Sequence, residues 1–228
     1  MKVIAIVVAA GKSERFGGKV RKPYVLLSGK PMLVHSLEKL EKCKVIREVI
    51  IVVNSEDMKY CKTEILEKFN FKKVKKIICG GEKRQDSVYN GLKAISQCDI
   101  VLIHDAARPF LDLEMINDSI KSAVEYGAAI VAIPITDTVK RSEEGKFVSA
   151  TLDRNKLWAA QTPQVFRMNL LLEAYENAKT NGLDVTDDAG LLQNSGHKAQ
   201  LVMGNYKNFK ITTQEDLKLA EALINGNL

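Results

Sequence analysis

An apolar run that empties directly into a basic, glycine-containing loop constrains this chain most. Met1 to Ala9 reads M-K-V-I-A-I-V-V-A, and A-A-G-K-S-E-R-F-G-G-K-V-R-K-P-Y follows from Ala9 to Tyr24. A strand joined to a loop in this way is how α/β proteins bring main-chain amides and fixed cations up to a phosphate. The small residues Ala9, Ala10 and Gly11 let a ligand approach the backbone. Arg15, Lys19, Arg21 and Lys22 carry positive charge to the same place. Neither common phosphate loop is present. G-x-G-x-x-G is missing because Lys12 and Ser13 follow Gly11, and the P-loop pattern fails at Ser13 and at Val20, which follows Lys19. A dinucleotide enzyme or a P-loop ATPase is therefore not the first reading.

Further apolar runs recur along the chain: Val49 to Val53, Val74 to Cys79, Ile100 to His104 and Ala128 to Pro134. Their continuous hydrophobicity suits parallel strands covered on both faces. Helical patterns lie between them. Pro31 suits a first helical turn, Ser55 precedes a helix over Asp57 to Phe69, and Arg84 to Ile95 carries Val88, Leu92 and Ile95 at helical spacing. Asp112 caps a helix that stops at Gly127. The alternation predicts right-handed βαβ units and a three-layer α/β/α fold with a mostly parallel, Rossmann-like sheet. Residues 136–157 break the pattern with two polar, β-prone arms around Glu144-Gly145. The segment reads as a surface hairpin or as an arm that packs on another subunit, since an isolated hairpin is marginal in water. A strand at Ala199–Met203, a late strand at Phe209–Thr212 and a closing helix from Gln214 complete the chain. We expect one domain over residues 1–228, with 136–157 protruding.

Composition narrows the function. With 228 residues, 46% of them hydrophobic, the chain can bury a core large enough to fold unaided. The net charge of +6 is spread over dispersed lysines, densest at Lys72 to Lys76, and no basic stretch is interleaved with aromatics as base stacking requires. Nucleic acid is not an expected partner. The four cysteines form no C-x-x-C pair and the three histidines lie far apart, which speaks against zinc and against a disulfide framework. A bound cation would be a hard one, held by Asp and by substrate phosphates. The first apolar run is too short to span a membrane and carries no cleavage pattern, so a cytoplasmic protein without a membrane partner is expected.

Three further segments point to chemistry. Ile100 to Phe110, I-V-L-I-H-D-A-A-R-P-F, places Asp105, Ala106 and Ala107 at the carboxyl end of a buried strand, where open α/β sheets bind ligands. Asp105 there can hold Mg²⁺ or a sugar hydroxyl. G-G-E-K-R-Q-D-S-V, from Gly80, offers close backbone approach at Gly81 and a hydroxyl at Ser87 for reading a base edge. Arg154 and Lys210 supply cations, and T-D-D-A reads as a helix start capped by Thr186. No nucleophile–base pair stands out. The implied chemistry is charge neutralisation and positioning, as in nucleotidyl transfer.

Taken together, A-A-G-K-S-E-R-F, H-D-A-A-R-P, D-T-V-K-R, D-R-N, Q-T-P-Q, T-D-D-A and N-F-K-I-T resemble, in order and over nearly the whole chain, the 2-C-methyl-D-erythritol 4-phosphate cytidylyltransferases. The resemblance implies a nucleotide-diphospho-sugar transferase fold, a homodimer built through the arm, CTP as co-substrate and Mg²⁺. It implies that Arg15 and Lys22 stabilise the transition state at the α-phosphate, and that Ala9, Ala10 and Gly11 form the phosphate loop. Gly81 and Ser87 match cytosine-reading positions, with Asp105 and Ala106 beside the nucleotide and Asp105 a ribose or metal contact. Arg154 and Lys210 match residues that position the acceptor, and Thr138, Thr162 and Thr186 match hydroxyls near it. Thr138 and Arg154 would reach the neighbouring subunit's site. The sequence departs at Arg21-Lys22-Pro23-Tyr24, where the family has P-K-Q-Y; Pro23 should restrict Lys22 to extended backbone. Ser13, Phe16 and Glu82 also depart. A ribitol 5-phosphate cytidylyltransferase and a non-catalytic CTP-binding regulator are the rival readings, with Ala9-Ala10-Gly11 and Ala107 favouring the methylerythritol phosphate acceptor.

Overall fold

The computed structural model describes residues 1–11, Phe16 and 21–226. In chain order the elements are β1 (Val3–Val8), β2 (Leu26–Leu27), β3 (Lys30–Pro31), α1 (Met32–Lys42), β4 (Ile46–Val53), α2 (Met58–Tyr60) and β5 (Val74–Cys79). Then come α3 (Arg84–Lys93), β6 (Ile100–Asp105), α4 (Leu113–Tyr126), β7 (Ala128–Pro134), β8 (Lys140–Arg141) and β9 (Ala150–Thr151). β10 (Trp158–Arg167), α5 (Met168–Asn181), α6 (Asp188–Asn194), β11 (Gln200–Met203) and α7 (Gln214–Ile224) follow.

Seven strands form one sheet in the order β11-β7-β10-β6-β1-β4-β5. β10 runs antiparallel to both its neighbours; every other pair is parallel. The alternation of side chains along β1 shows why the strands are apolar throughout. Val3, Ala5 and Val7 pack with α1 and α4 on one face, while Ile4 and Ile6 pack with α3, α5 and α6 on the other. A strand between two helical layers has no solvent face to make polar. This is the expected three-layer architecture.

Helix ends follow local chemistry. The Asp112 carboxylate accepts from Met115 N at 2.8 Å, and α4 ends at Gly127, whose φ of 92° suits glycine. Thr213 and Asp216 cap α7 reciprocally. Three expectations are corrected. Phe209–Thr212 is not a strand, because Ile211 N to Ala107 O (2.9 Å) is the one main-chain bond tying it to the strand-end loop among the described residues. The predicted helix over Asp57–Phe69 begins as a 3₁₀ turn at Ser55–Asp57 and widens into a π-helix over Cys61–Glu67. Lys22 is not extended: it opens a 3₁₀ turn, Lys22–Tyr24, with extended Arg21 before it. Pro23 sits early in that turn, where no N–H donor is needed.

Within residues 136–157, β8 and β9 pair antiparallel and most side chains are exposed. The turn carries Gly145 at a φ of 72°. All four cysteines are free thiols. Among the described residues, no helix is long and apolar enough to cross a membrane.

Candidate active site

Beyond the carboxyl ends of β1, β5 and β6 lies a cavity of about 580 Å³. β1 delivers Val8, Ala9, Ala10 and Gly11 to its wall, the turn after β5 delivers Gly81 to Arg84 with Ser87, and β6 delivers Asp105, Ala106 and Ala107. Lys22, Pro23, Phe16 and Lys210 complete it. Close packing behind the wall explains its glycines. A Cβ on Gly80 would meet the Ala10 Cβ at 2.4 Å, and one on Gly81 would meet the Asp86 Cβ at 2.3 Å. The Ser87 hydroxyl donates to Lys83 O at 3.1 Å and accepts from Gly81 N at 3.1 Å, so it holds the loop in shape.

Asp105 is the electrostatic centre. Its Oδ1 accepts from Arg84 Nε at 2.9 Å and its Oδ2 from Lys210 Nζ at 2.7 Å. Burial alone would raise its carboxyl, but Arg84 and Lys210 outweigh burial and hold it well below the usual carboxylate range. Arg84 also donates through Nη2 to Asp188 at 2.9 Å, and Tyr175 donates to the other Asp188 oxygen at 2.5 Å. Burial works against the Arg84 charge, yet Asp188 and Asp105 keep the guanidinium protonated. Gln164 Oε1 accepts from the N–H groups of Asp188 and Ala189, which fixes the start of α6. The result is a chain of alternating charge, Lys210–Asp105–Arg84–Asp188, from the cavity into the interior.

Both Asp105 oxygens are engaged by protein side chains. No group of three His, Cys, Asp or Glu side chains suited to a metal ion occurs among the described residues. Glu82, the other carboxylate on the wall, is exposed. The protein alone supplies no cage for a divalent ion here, so Asp105 could hold one only together with substrate phosphates.

Residues 3–226 match the model of the 2-C-methyl-D-erythritol 4-phosphate cytidylyltransferase (IspD) family. The chain belongs to that family. It is 46% identical to the 2-C-methyl-D-erythritol 4-phosphate cytidylyltransferase of Alkaliphilus metalliredigens, over 98% of this chain and 93% of that one. Identity to the Caldanaerobacter subterraneus enzyme is 45%, over 98% and 99%. Among solved structures, the 4-diphosphocytidyl-2C-methyl-D-erythritol synthase of Anaerococcus prevotii superposes with a TM-score of 0.87 at 33% identity, over 98% of this chain and 96% of that one. The cytidylyltransferase of Thermus thermophilus gives 0.81 at 31%, over 99% and 100%.

For this cytidylyltransferase-family chain, the structure brings Ala9, Ala10, Gly11, Lys22, Gly81, Ser87, Asp105, Ala106 and Lys210 to one cavity. Arg15 and Lys19 lie outside the described residues. Thr138 and Arg154 are exposed on the arm, away from the cavity wall, and Arg154 Nη1 donates to Thr136 O at 2.8 Å. Thr186 is exposed and is not the cap of α6; Asp187 is, accepting from Gly190 N at 3.0 Å. Arg21 turns away from the phosphate loop to pair with Glu56 and Asp57. Thr162 is buried behind Asp105 rather than on the wall; its hydroxyl accepts from Asp105 N at 3.1 Å and lies 3.0 Å from His104 Nδ1.

Sequence reasoning missed Arg84, Asp188, Tyr175 and Gln164. Arg84 had one signal, its place straight after a Gly-Gly turn at a helix start. Arg108 is half-buried, donating to Asn208 O at 2.8 Å and Ala160 O at 3.3 Å, so it ties loops together instead of reaching into the cavity.

His104 makes stability pH-dependent. The ring is fully buried, and burial lowers its pKa to about 4 against the partial opposition of Asp105. Between that value and the unfolded pKa of 6.5 the unfolded chain binds a proton that the folded chain does not. Stability therefore falls as pH drops through this window, by about 2–3 kcal/mol from roughly pH 6.5 to 4.5. Urea unfolding at the two pH values should show that loss, and a His104→Gln variant should lack it; parallel slopes in both proteins would refute the assignment.

Proposed function

We propose that the chain transfers the cytidylyl group of CTP to 2-C-methyl-D-erythritol 4-phosphate, releasing pyrophosphate and forming 4-diphosphocytidyl-2-C-methyl-D-erythritol, an isoprenoid precursor. The observation that carries the reading is the set of Lys22, Lys210 and Arg84-braced Asp105 around one cavity in a member of this family. In a single displacement, a phosphate oxygen of the acceptor attacks the α-phosphorus of CTP in line. The new P–O bond forms as the bond to the β-phosphate bridging oxygen breaks, and the electron pair leaves with pyrophosphate.

The chain's share is positioning and charge. Main-chain groups at Ala9, Ala10 and Gly11 approach the triphosphate, and Gly81 and Ser87 shape the base-side wall. Lys22, with Arg15, neutralises charge that grows at the α-phosphate. Lys210, held by Asp105, and Arg154 take the acceptor phosphate. Magnesium belongs to this reading as the counterion of the triphosphate, neutralising its charge when bound; no step is assigned to it. Thr138 and Arg154 act across a homodimer on the partner's site. The exposure of Phe147 (81%) and Val148 (64%) at the arm supports burial against a second copy. The free thiols accord with a cytoplasmic enzyme.

Pyrophosphate release with CTP and Mg²⁺ tests the reading, with methylerythritol 4-phosphate and ribitol 5-phosphate compared at equal concentration. Preference for the first is expected. Preference for ribitol 5-phosphate would keep the mechanism and change the acceptor, and silence with both would overturn catalysis.

A further inference from the structure

His104 sits one residue before Asp105, fully buried, and none of the roles above uses its ring. Its Nε2 lies 3.1 Å from Arg108 O, a group that can only accept. It also lies 3.3 Å from Ser36 Oγ, whose own proton goes to Arg108 O at 3.2 Å. The Arg108 carbonyl therefore requires a proton on Nε2, and the Ser36 oxygen, donating to the same carbonyl, is free to accept from it. In a neutral ring Nδ1 is then an acceptor, and the group facing it at 3.0 Å is the Thr162 hydroxyl. That same oxygen accepts from the main-chain N–H of Asp105 at 3.1 Å.

We propose that His104 is a positioning residue of the active site: its Nδ1 accepts a hydrogen bond from the Thr162 hydroxyl and thereby turns a Thr162 lone pair onto the Asp105 N–H, setting where the Asp105 carboxylate stands. The direction of every bond in the relay follows from the acceptor-only carbonyl at its far end. Asp105 N–H donates to Thr162, Thr162 donates to His104 Nδ1, and His104 Nε2–H donates to Arg108 O. β10 is shaped for this relay. Its pairing with β7 shifts register between Ala160 and Gln164, which releases Thr162 from the ladder. Asn208 Nδ2 then holds Thr162 O at 2.9 Å. Thr162 and His104 thus serve substrate through Asp105, which anchors Lys210 and Arg84 on the cavity wall.

Nitrogen NMR of the histidine rings in the wild-type protein at neutral pH tests the relay without reference to activity. A protonated Nε2 and an unprotonated Nδ1 on His104 are expected; a proton on Nδ1 overturns the proposal. The activity arm rests on the cytidylyl-transfer reading. His104→Gln keeps a donor toward Arg108 O but loses the acceptor, whereas His104→Asn places its Oδ1 near the Nδ1 position. Glutamine should lower kcat/KM for pyrophosphate release by about tenfold or more, and asparagine should recover most of that loss. Thr162→Ser should likewise recover what Thr162→Val loses. Equal losses in Asn and Gln variants of equal folded fraction would reduce His104 to a packing residue. A wild-type protein that releases no pyrophosphate would fail the functional reading while the NMR result still decides the relay.

Discussion

Lys22→Ala is expected to lower kcat by on the order of a hundredfold or more, the cost of removing one preorganised charge donor from the reacting phosphate. The structure separates this loss from a folding defect. The 3₁₀ turn carrying Lys22 is anchored by its neighbours, with Pro23 and Tyr24 buried and Tyr24 edge-on to Tyr60 at a centroid distance of 4.8 Å. Shortening the Lys22 side chain leaves those anchors in place, so the variant should stay folded, and kcat is compared at a temperature where thermal unfolding shows both proteins folded. If the ammonium acts chiefly in the transition state, kcat and kcat/KM fall together; a rise in KM alone would make Lys22 a ground-state binding group. Arginine should rescue only in part, because a planar fork does not occupy the place of a compact ammonium. Near-wild-type kcat in the alanine variant would remove Lys22 from the catalytic set.

The layered fold was legible because buried parallel strands write their environment into the sequence. Ala128–Pro134 is apolar throughout and forms a strand with those bounds, whereas Val74–Cys79 keeps its bounds but lies at the sheet edge with none of its residues buried, which corrects the expectation that both its faces are covered. Capping was equally local, as Asp112 and Gly127 show. What escaped was set by long-range pairing. Phe209–Thr212 has strand-like composition, yet lies beside a loop with a single main-chain tie to it among the described residues. Arg21 and Lys22 are adjacent cations in sequence, but acids at Glu56 and Asp57 take the first, and the cavity receives the second. No local pattern reports that Glu56 will be near. The site shows the same division. Glycines and small residues after strand ends marked the wall, because close backbone approach needs them. Arg84 and Asp188 stand 104 positions apart, and only the folded sheet brings them to 2.9 Å.

That distant pair carries the largest expected effect on stability. Asp188 has a side chain only 1% exposed and is held by Arg84 and Tyr175. Arg84→Met keeps much of the side-chain volume but strands the carboxylate, which should cost about 3–5 kcal/mol in chemical denaturation. Lysine is a poor substitute, since one ammonium cannot reproduce the fork that reaches Asp105 through Nε and Asp188 through Nη2. If the loss arises from the uncompensated charge, adding Asp188→Asn to Arg84→Met should recover a substantial part of it, giving a coupling well above that of independent sites. Additive losses would instead assign the effect to packing, and a cost under about 1 kcal/mol would place the pair with exposed ion pairs of little worth. The consequence extends to the reaction. Without Arg84, Asp105 faces Lys210 alone and loses the brace that fixes its Oδ1, so Lys210 on the cavity wall is no longer held in one place. Arg84→Met should therefore lose activity even at temperatures where it remains folded.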